Sequence, residues 1–129
     1  MTGQTELSTL LRQMEPVLAA EPYGYACVGA LPEGLVPFAL VAEAEGLTVV
    51  ALQAALRDAG VATADNWARI SLTIHSDLAA VGLTAAIAAA LTAQGISANV
   101  IAGYYHDHVF VQWARREDAM AALQGLAHG

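Results

Sequence analysis

The sequence predicts an α+β protein made of short helices and antiparallel strands. Two observations carry this: the hydrophobic period switches repeatedly between about 3.6 and 2 residues, and residues 68–126 read in the order strand, helix, strand, strand, helix. Composition bounds the rest. Hydrophobic residues make up 57% of the 129 residues and charged ones only 13%, the opposite of a disordered chain. The length suits one compact domain or two very small halves sharing a core. So little polar material covers a monomer poorly, and burial against further subunits, a homodimer at the least, is expected.

Five arginines, no lysine and twelve acidic residues give a net charge of −7. Phosphate backbones are gripped by clustered cations, and only Arg115 and Arg116 are adjacent here, so nucleic-acid binding is excluded as an electrostatic activity. A basic membrane-surface helix is excluded on the same ground. The most apolar stretch, residues 78–93, is interrupted by Gly82, Thr84 and Thr92 and is shorter than the roughly 20 residues that span a bilayer. The opening residues lack the basic and apolar regions of a signal peptide. With one cysteine, Cys27, there is no internal disulfide, and a reduced, cytoplasmic setting is expected.

Leu7, Leu10, Leu11 and Met14 fall at i, i+3, i+4 and i+7 and predict a helix over residues 6–14, stopped by Pro16. Residues 23–31, around Cys27 and Val28, have strand content and lead into the turn Leu31-Pro32-Glu33-Gly34. A strand pair is expected over 38–50, broken at Glu45-Gly46, and then a helix over 52–59 closed by Gly60. Ile70, Leu72 and Ile74 alternate with Arg69, Ser71, Thr73 and His75, the period of a strand with one face in a core. Ser76 and Asp77 suit the cap of the helix that follows over 82–94, with Leu83, Ile87 and Leu91 on one face and Gly95 at its end. Residues 96–103 and 108–113 form a hairpin, and 116–126 a last helix. Residues 54–60 and 89–95 are similar at an offset of 35, a hint of duplication with no third copy.

The segment from His75 to Ala86, with Val81-Gly82-Leu83-Thr84, together with Gly103-Tyr104-Tyr105-His106-Asp107-His108, resembles a bacterial family of small ACT-domain proteins of unassigned function. Glu43-Ala44-Glu45-Gly46-Leu47-Thr48 and the first helix fit it too. The resemblance implies an ACT/ferredoxin-like fold of two interlocked halves, residues 1–64 and 65–129, with antiparallel sheets and helices on one face. It also implies a regulatory or sensor module, not an enzyme and without a cofactor, that binds a small molecule such as an amino acid at an oligomer interface. A full ACT unit ends in a fourth strand, and only three residues follow Leu126; Tyr23 to Leu31 is the expected donor.

In ACT domains the ligand sits at the first strand-to-helix turn and the facing second strand, which assigns Asp77, Val81, Gly82, Leu83, Asn99 and Val100 here. The chemistry agrees. A helix start offers backbone N–H groups and the positive dipole end to a carboxylate, Gly82 admits close approach, and Asp77 supplies an acceptor for an ammonium group. His106 and His108, two apart on a strand with His75 near a neighbouring strand end, would suit a divalent metal, so a metal-dependent enzyme stays open beside a ligand-free oligomerisation adaptor. Tyr104 and Tyr105 are both expected in core or interface packing, one joining the core and the other facing a partner or ligand, Cys27 is expected in the core, and Arg115-Arg116 at the start of a solvated helix face.

Overall fold

Residues 3–73 and 81–128 are described by the computed structural model of the chain. In chain order the elements are α1 (Gly3–Gln13), β1 (Pro16–Leu18), β2 (Tyr23–Val28), β3 (Ala39–Glu43), β4 (Gly46–Leu52), α2 (Gln53–Asp58), β5 (Ala64–Leu72), α3 (Leu83–Ala93), β6 (Asn99–Ala102), β7 (Asp107–Gln112), a 3-10 turn at Trp113–Arg115 and α4 (Arg116–His128). They form two compact units, a continuous one of Ala20–Ala68 and a distributed one of Met1–Ala19 with Arg69–Gly129. Strand β5 passes through the boundary between them, its first residues in one unit and its last in the other.

In the continuous unit the strands lie in the order β3-β4-β2-β5. Counted along the chain this is second, third, first, fourth. The β3 and β4 strands turn tightly through Glu43 and Gly46, with Thr48 Oγ1 donating to the Glu43 carboxylate. Helix α2 packs on β2 and β4 over a core of Ala26, Leu35, Val49, Ala51 and Leu56. Fully burying a side chain such as Leu56 contributes about 1.5–3 kcal/mol. Residues 29–38 stand where a first helix would, and their turn has Leu35 N–H donating to Pro32 O at 3.2 Å and Leu35 itself buried.

The distributed unit repeats the order. Its strands run β6-β7-β5-β1, again second, third, first, fourth, with α3 and α4 as its two helices and α1 packed on α4. The fourth strand is Pro16–Leu18, antiparallel to β5 with Val17 opposite Ser71, and not Tyr23 to Leu31 as expected. Of that segment, Tyr23–Val28 instead pairs with β4, and Tyr23 and Tyr25 pair with Trp67 and Ala64 of the continuous unit. A three-residue strand opened by proline carries no period-2 signal. Proline is tolerated as the first residue of an edge strand, so the residue that stops the helix also starts the strand. The missing fourth strand is supplied, but by a different segment.

Two helix ends are built alike. Gly60 and Gly95 take the left-handed conformation at φ +74° and +70°; Gly60 N–H donates to Arg57 O and Val61 N–H to Leu56 O, as Gly95 N–H does to Thr92 O and Ile96 N–H to Leu91 O. Both are Schellman caps. The similarity of residues 54–60 and 89–95 therefore reflects one capping device, because α2 is the helix after a third strand and α3 the helix after a first strand.

Candidate functional site

The assigned ligand turn ends at the start of α3. Gly82 is the N-cap residue with φ +97° and ψ −18°, a left-handed geometry that disfavours any side chain, and it supplies no capping group. The first helical bond runs from Ala86 N–H to Gly82 O at 2.9 Å. No acidic residue stands in the first turn of α3, so the helix brings no negative side chain of its own to its positive dipole end. Val81 is 87% exposed beside it, whereas Leu83 is buried and anchors the turn. A Cβ on Gly82 would lie 3.2 Å from Leu7 Cδ2 of α1. Asp77, with His75 and Ser76, lies outside the described residues.

Asn99 and Val100 open β6, the edge strand of the same unit. Asn99 is exposed and its Nδ2 is 3.5 Å from the carbonyl oxygen of Phe110, its cross-strand partner. That long contact leaves the amide group able to donate and accept elsewhere.

Around the hairpin the findings differ from the sequence reading. Tyr104 and Tyr105 are 75% and 61% exposed and contact each other edge to face at 4.9 Å, so neither enters the core of its unit. The reason is that the hairpin turn closes at Gly103 and His106, whose backbone groups bond at 2.9 Å, which leaves both rings on the loop rather than on a strand. Among the described residues no group of three His, Cys, Asp or Glu side chains gathers in a metal-holding arrangement. His108 is engaged otherwise: its Nδ1 is 2.7 Å from Ser71 Oγ. Burial, then the charges of Arg69 and His106, hold its imidazole below the ordinary value of 6.5, against an opposing effect of Asp107.

Cys27 is exposed, contrary to expectation, because strand alternation turns the neighbouring Ala26 into the core and Cys27 away from it. Arg115 and Arg116 are not a plain solvated face either. Arg115 donates to Asp118 and to Gln94 O, and Arg116 lies 4.0 Å over the Trp113 ring while donating to Trp113 O. The pair of Ser71 and His108, flanked by Arg69, went unremarked in the sequence. The alternation of β5 marks Arg69 and Ser71 as one polar face, but only the adjacency of β5 and β7 brings His108 to it.

Two units whose strands follow the same order, one with both of its helices, define a tandem ferredoxin-like protein. The chain belongs to the ACT-domain family: residues 2–68 match one ACT-domain profile and residues 62–125 another. It is similar to a Vibrio cholerae protein of unknown function, described as a possible transport protein, with 43% identity over 98% of this chain and 99% of that one and a TM-score of 0.86. An Agrobacterium tumefaciens protein shares the fold at 17% identity and a TM-score of 0.76, over 88% and 89% of the two chains. The regulatory subunit of aspartate kinase from Thermus thermophilus does so at 10% identity and 0.68, over 86% and 95%. No protein of curated function matches the sequence. Among the described residues no helix is long and apolar enough to cross a membrane.

Proposed function

We propose that this chain is a non-catalytic, cytoplasmic regulatory module that binds an amino acid or similar small molecule at the start of α3. Val81, Gly82 and Leu83 present backbone N–H groups to the carboxylate, Asp77 meets the ammonium group, and Asn99 and Val100 of β6 line the other side. The observation that carries this reading is the left-handed, side-chain-free N-cap at Gly82, with no acidic residue in the first turn of α3. An anion there gains both hydrogen bonds and the dipole. Membership of the ACT-domain family and the fold shared with aspartate kinase regulatory subunits support a regulatory role.

The module acts as a homodimer or larger assembly, in which ligand favours one arrangement of the interface by its differential affinity. Supporting this, β3 is an edge strand of the continuous unit whose Leu40 and Val41 are 46% and 49% exposed. Apolar edge strands invite pairing with another chain.

A thermal-shift screen of the twenty amino acids tests the reading. A ligand at 100 times its dissociation constant adds about 2.7 kcal/mol to the folded state. One amino acid is expected to raise the melting temperature, and Gly82→Val and Asp77→Ala to abolish the rise. A screen in which no amino acid shifts the transition overturns it.

A further inference from the structure

Helices α1 and α4 of the distributed unit pack on each other, and a cavity of about 420 Å³ opens where they meet, lined by Ser8, Leu11, Arg12, Leu126, Ala127 and His128. Its volume is that of a small-molecule pocket. Ser8, Leu11 and Arg12 stand at i, i+3 and i+4 and so share one face of α1, and the other three residues close α4. Ala127 is buried and Leu11 and Leu126 are half-buried, while Ser8, Arg12 and His128 are exposed. The cavity thus joins an apolar wall to a hydroxyl, a guanidinium and an imidazole, with no carboxylate among its lining residues.

We propose that this cavity binds a small monocarboxylate with an aliphatic chain, its carboxylate held by Ser8, Arg12 and His128 and its chain laid against Leu11 and Leu126. All three polar groups are available: among the described residues the Ser8 hydroxyl, the Arg12 guanidinium and the His128 ring make no hydrogen bond or ion pair. By contrast Arg57, Arg115 and Arg116 each donate to a carboxylate or a carbonyl. A guanidinium offers a carboxylate a fork of N–H donors, and the imidazole and hydroxyl add to it.

Arg12 and His128 stand in the last turns of their helices, where a cation offsets the negative dipole end. That accounts for each singly, but not for their meeting over one cavity beside an unbonded hydroxyl. Met14 N–H engages two of the carbonyls at the end of α1, Leu10 O and Leu11 O. Beyond Arg12 and His128 an adjoining cavity includes Glu15, whose carboxylate repels an anion, so the ligand takes the side lined by Ser8 and Leu11. A chain of net charge −7 disfavours a dianion more than a monoanion, and the apolar wall favours a ligand with a hydrocarbon part, which together select a monocarboxylate over phosphate.

The test is a titration of the full chain with hexanoate, acetate and inorganic phosphate in turn, at ionic strength held constant with chloride, following the His128 ring resonances by NMR. Hexanoate is expected to give saturable shifts and to bind about tenfold or more tightly than acetate, which leaves Leu11 and Leu126 uncovered. Arg12→Gln should weaken hexanoate binding about tenfold or more, whereas Arg57→Gln, which removes the same charge from outside the cavity, should leave it unchanged. Ser8→Ala removes a single oxygen from an exposed helix position and should weaken it about threefold, so it serves if Arg12→Gln disturbs the fold. Shifts that stay linear with hexanoate, equal affinity for hexanoate and acetate, tighter binding of phosphate, or an affinity that Arg12→Gln alters no more than Arg57→Gln each overturn the proposal.

Discussion

The backbone N–H of Asn66 donates to Oε1 of Gln53 at 2.7 Å. This bond holds a bulge in β5, where Tyr23 faces Trp67 and Tyr25 faces Ala64, so two steps on β2 span three on β5. Asn66 takes φ +69° there, a conformation asparagine tolerates better than most residues. Gln53 is buried, so its removal leaves a sheltered N–H without its acceptor. Gln53→Leu should cost about 1–3 kcal/mol, measured by urea unfolding. A loss under 0.5 kcal/mol would show that water replaces the side chain.

Gly60 and Gly95 should respond alike to substitution. Nothing lies within 4 Å of a Cβ built on either, so the cost of alanine is conformational, about 1–2 kcal/mol for a left-handed L-residue. Denaturant unfolding of Gly60→Ala and Gly95→Ala checks this. Equal stability to the parent would mean the caps rearrange freely.

The fourth strand of the distributed unit comes from the N-terminal segment. Ala19 N–H donates to Arg69 O at 2.9 Å, and Thr73 N–H and Oγ1 both donate to Glu15 O, so β1 is tied to β5 on both sides of its ladder. Removing residues 1–18 also deletes buried Met14. The truncated chain should melt at least several degrees lower and self-associate through the β5 edge it exposes, as read by circular dichroism and light scattering. An unchanged melting temperature would mean the strand is dispensable.

His108 makes stability depend on pH in a definite direction. Burial and the charges of Arg69 and His106 place its folded-state pKa below the ordinary 6.5, so the unfolded chain binds a proton more readily than the folded one. Stability from this group is full above about pH 6.5 and falls as the pH drops through the lowered folded value. The stability difference between the parent and His108→Gln should narrow from pH 7.5 to pH 5 in urea unfolding curves. Parallel curves would remove His108 as the cause.

Much of this molecule was readable as local pattern. The helix over residues 6–14, the break at Glu45-Gly46, the helix ended by Gly95 and the hairpin of β6 and β7 each follow from period, turn chemistry or capping, which act over a few residues. The cap that opens the helix ended by Gly95 is not legible in the same way: residue type favours Ser76 and Asp77 for it, whereas the N-cap is Gly82, in a left-handed conformation and with no side-chain capping bond. What the chain order alone could not settle was which segment completes the second sheet. Pro16 to Leu18 is too short to show a strand period, and its choice over Tyr23 to Leu31 depends on hydrogen bonds made across more than fifty residues of chain. Long-range pairing likewise brought His108 beside Ser71 and set Gln53 under the bulge at Asn66. Tyr104, Tyr105 and Cys27 went outward for a related reason: a residue's type sets its preference for burial, but the turn geometry and strand phase around it decide which way it faces.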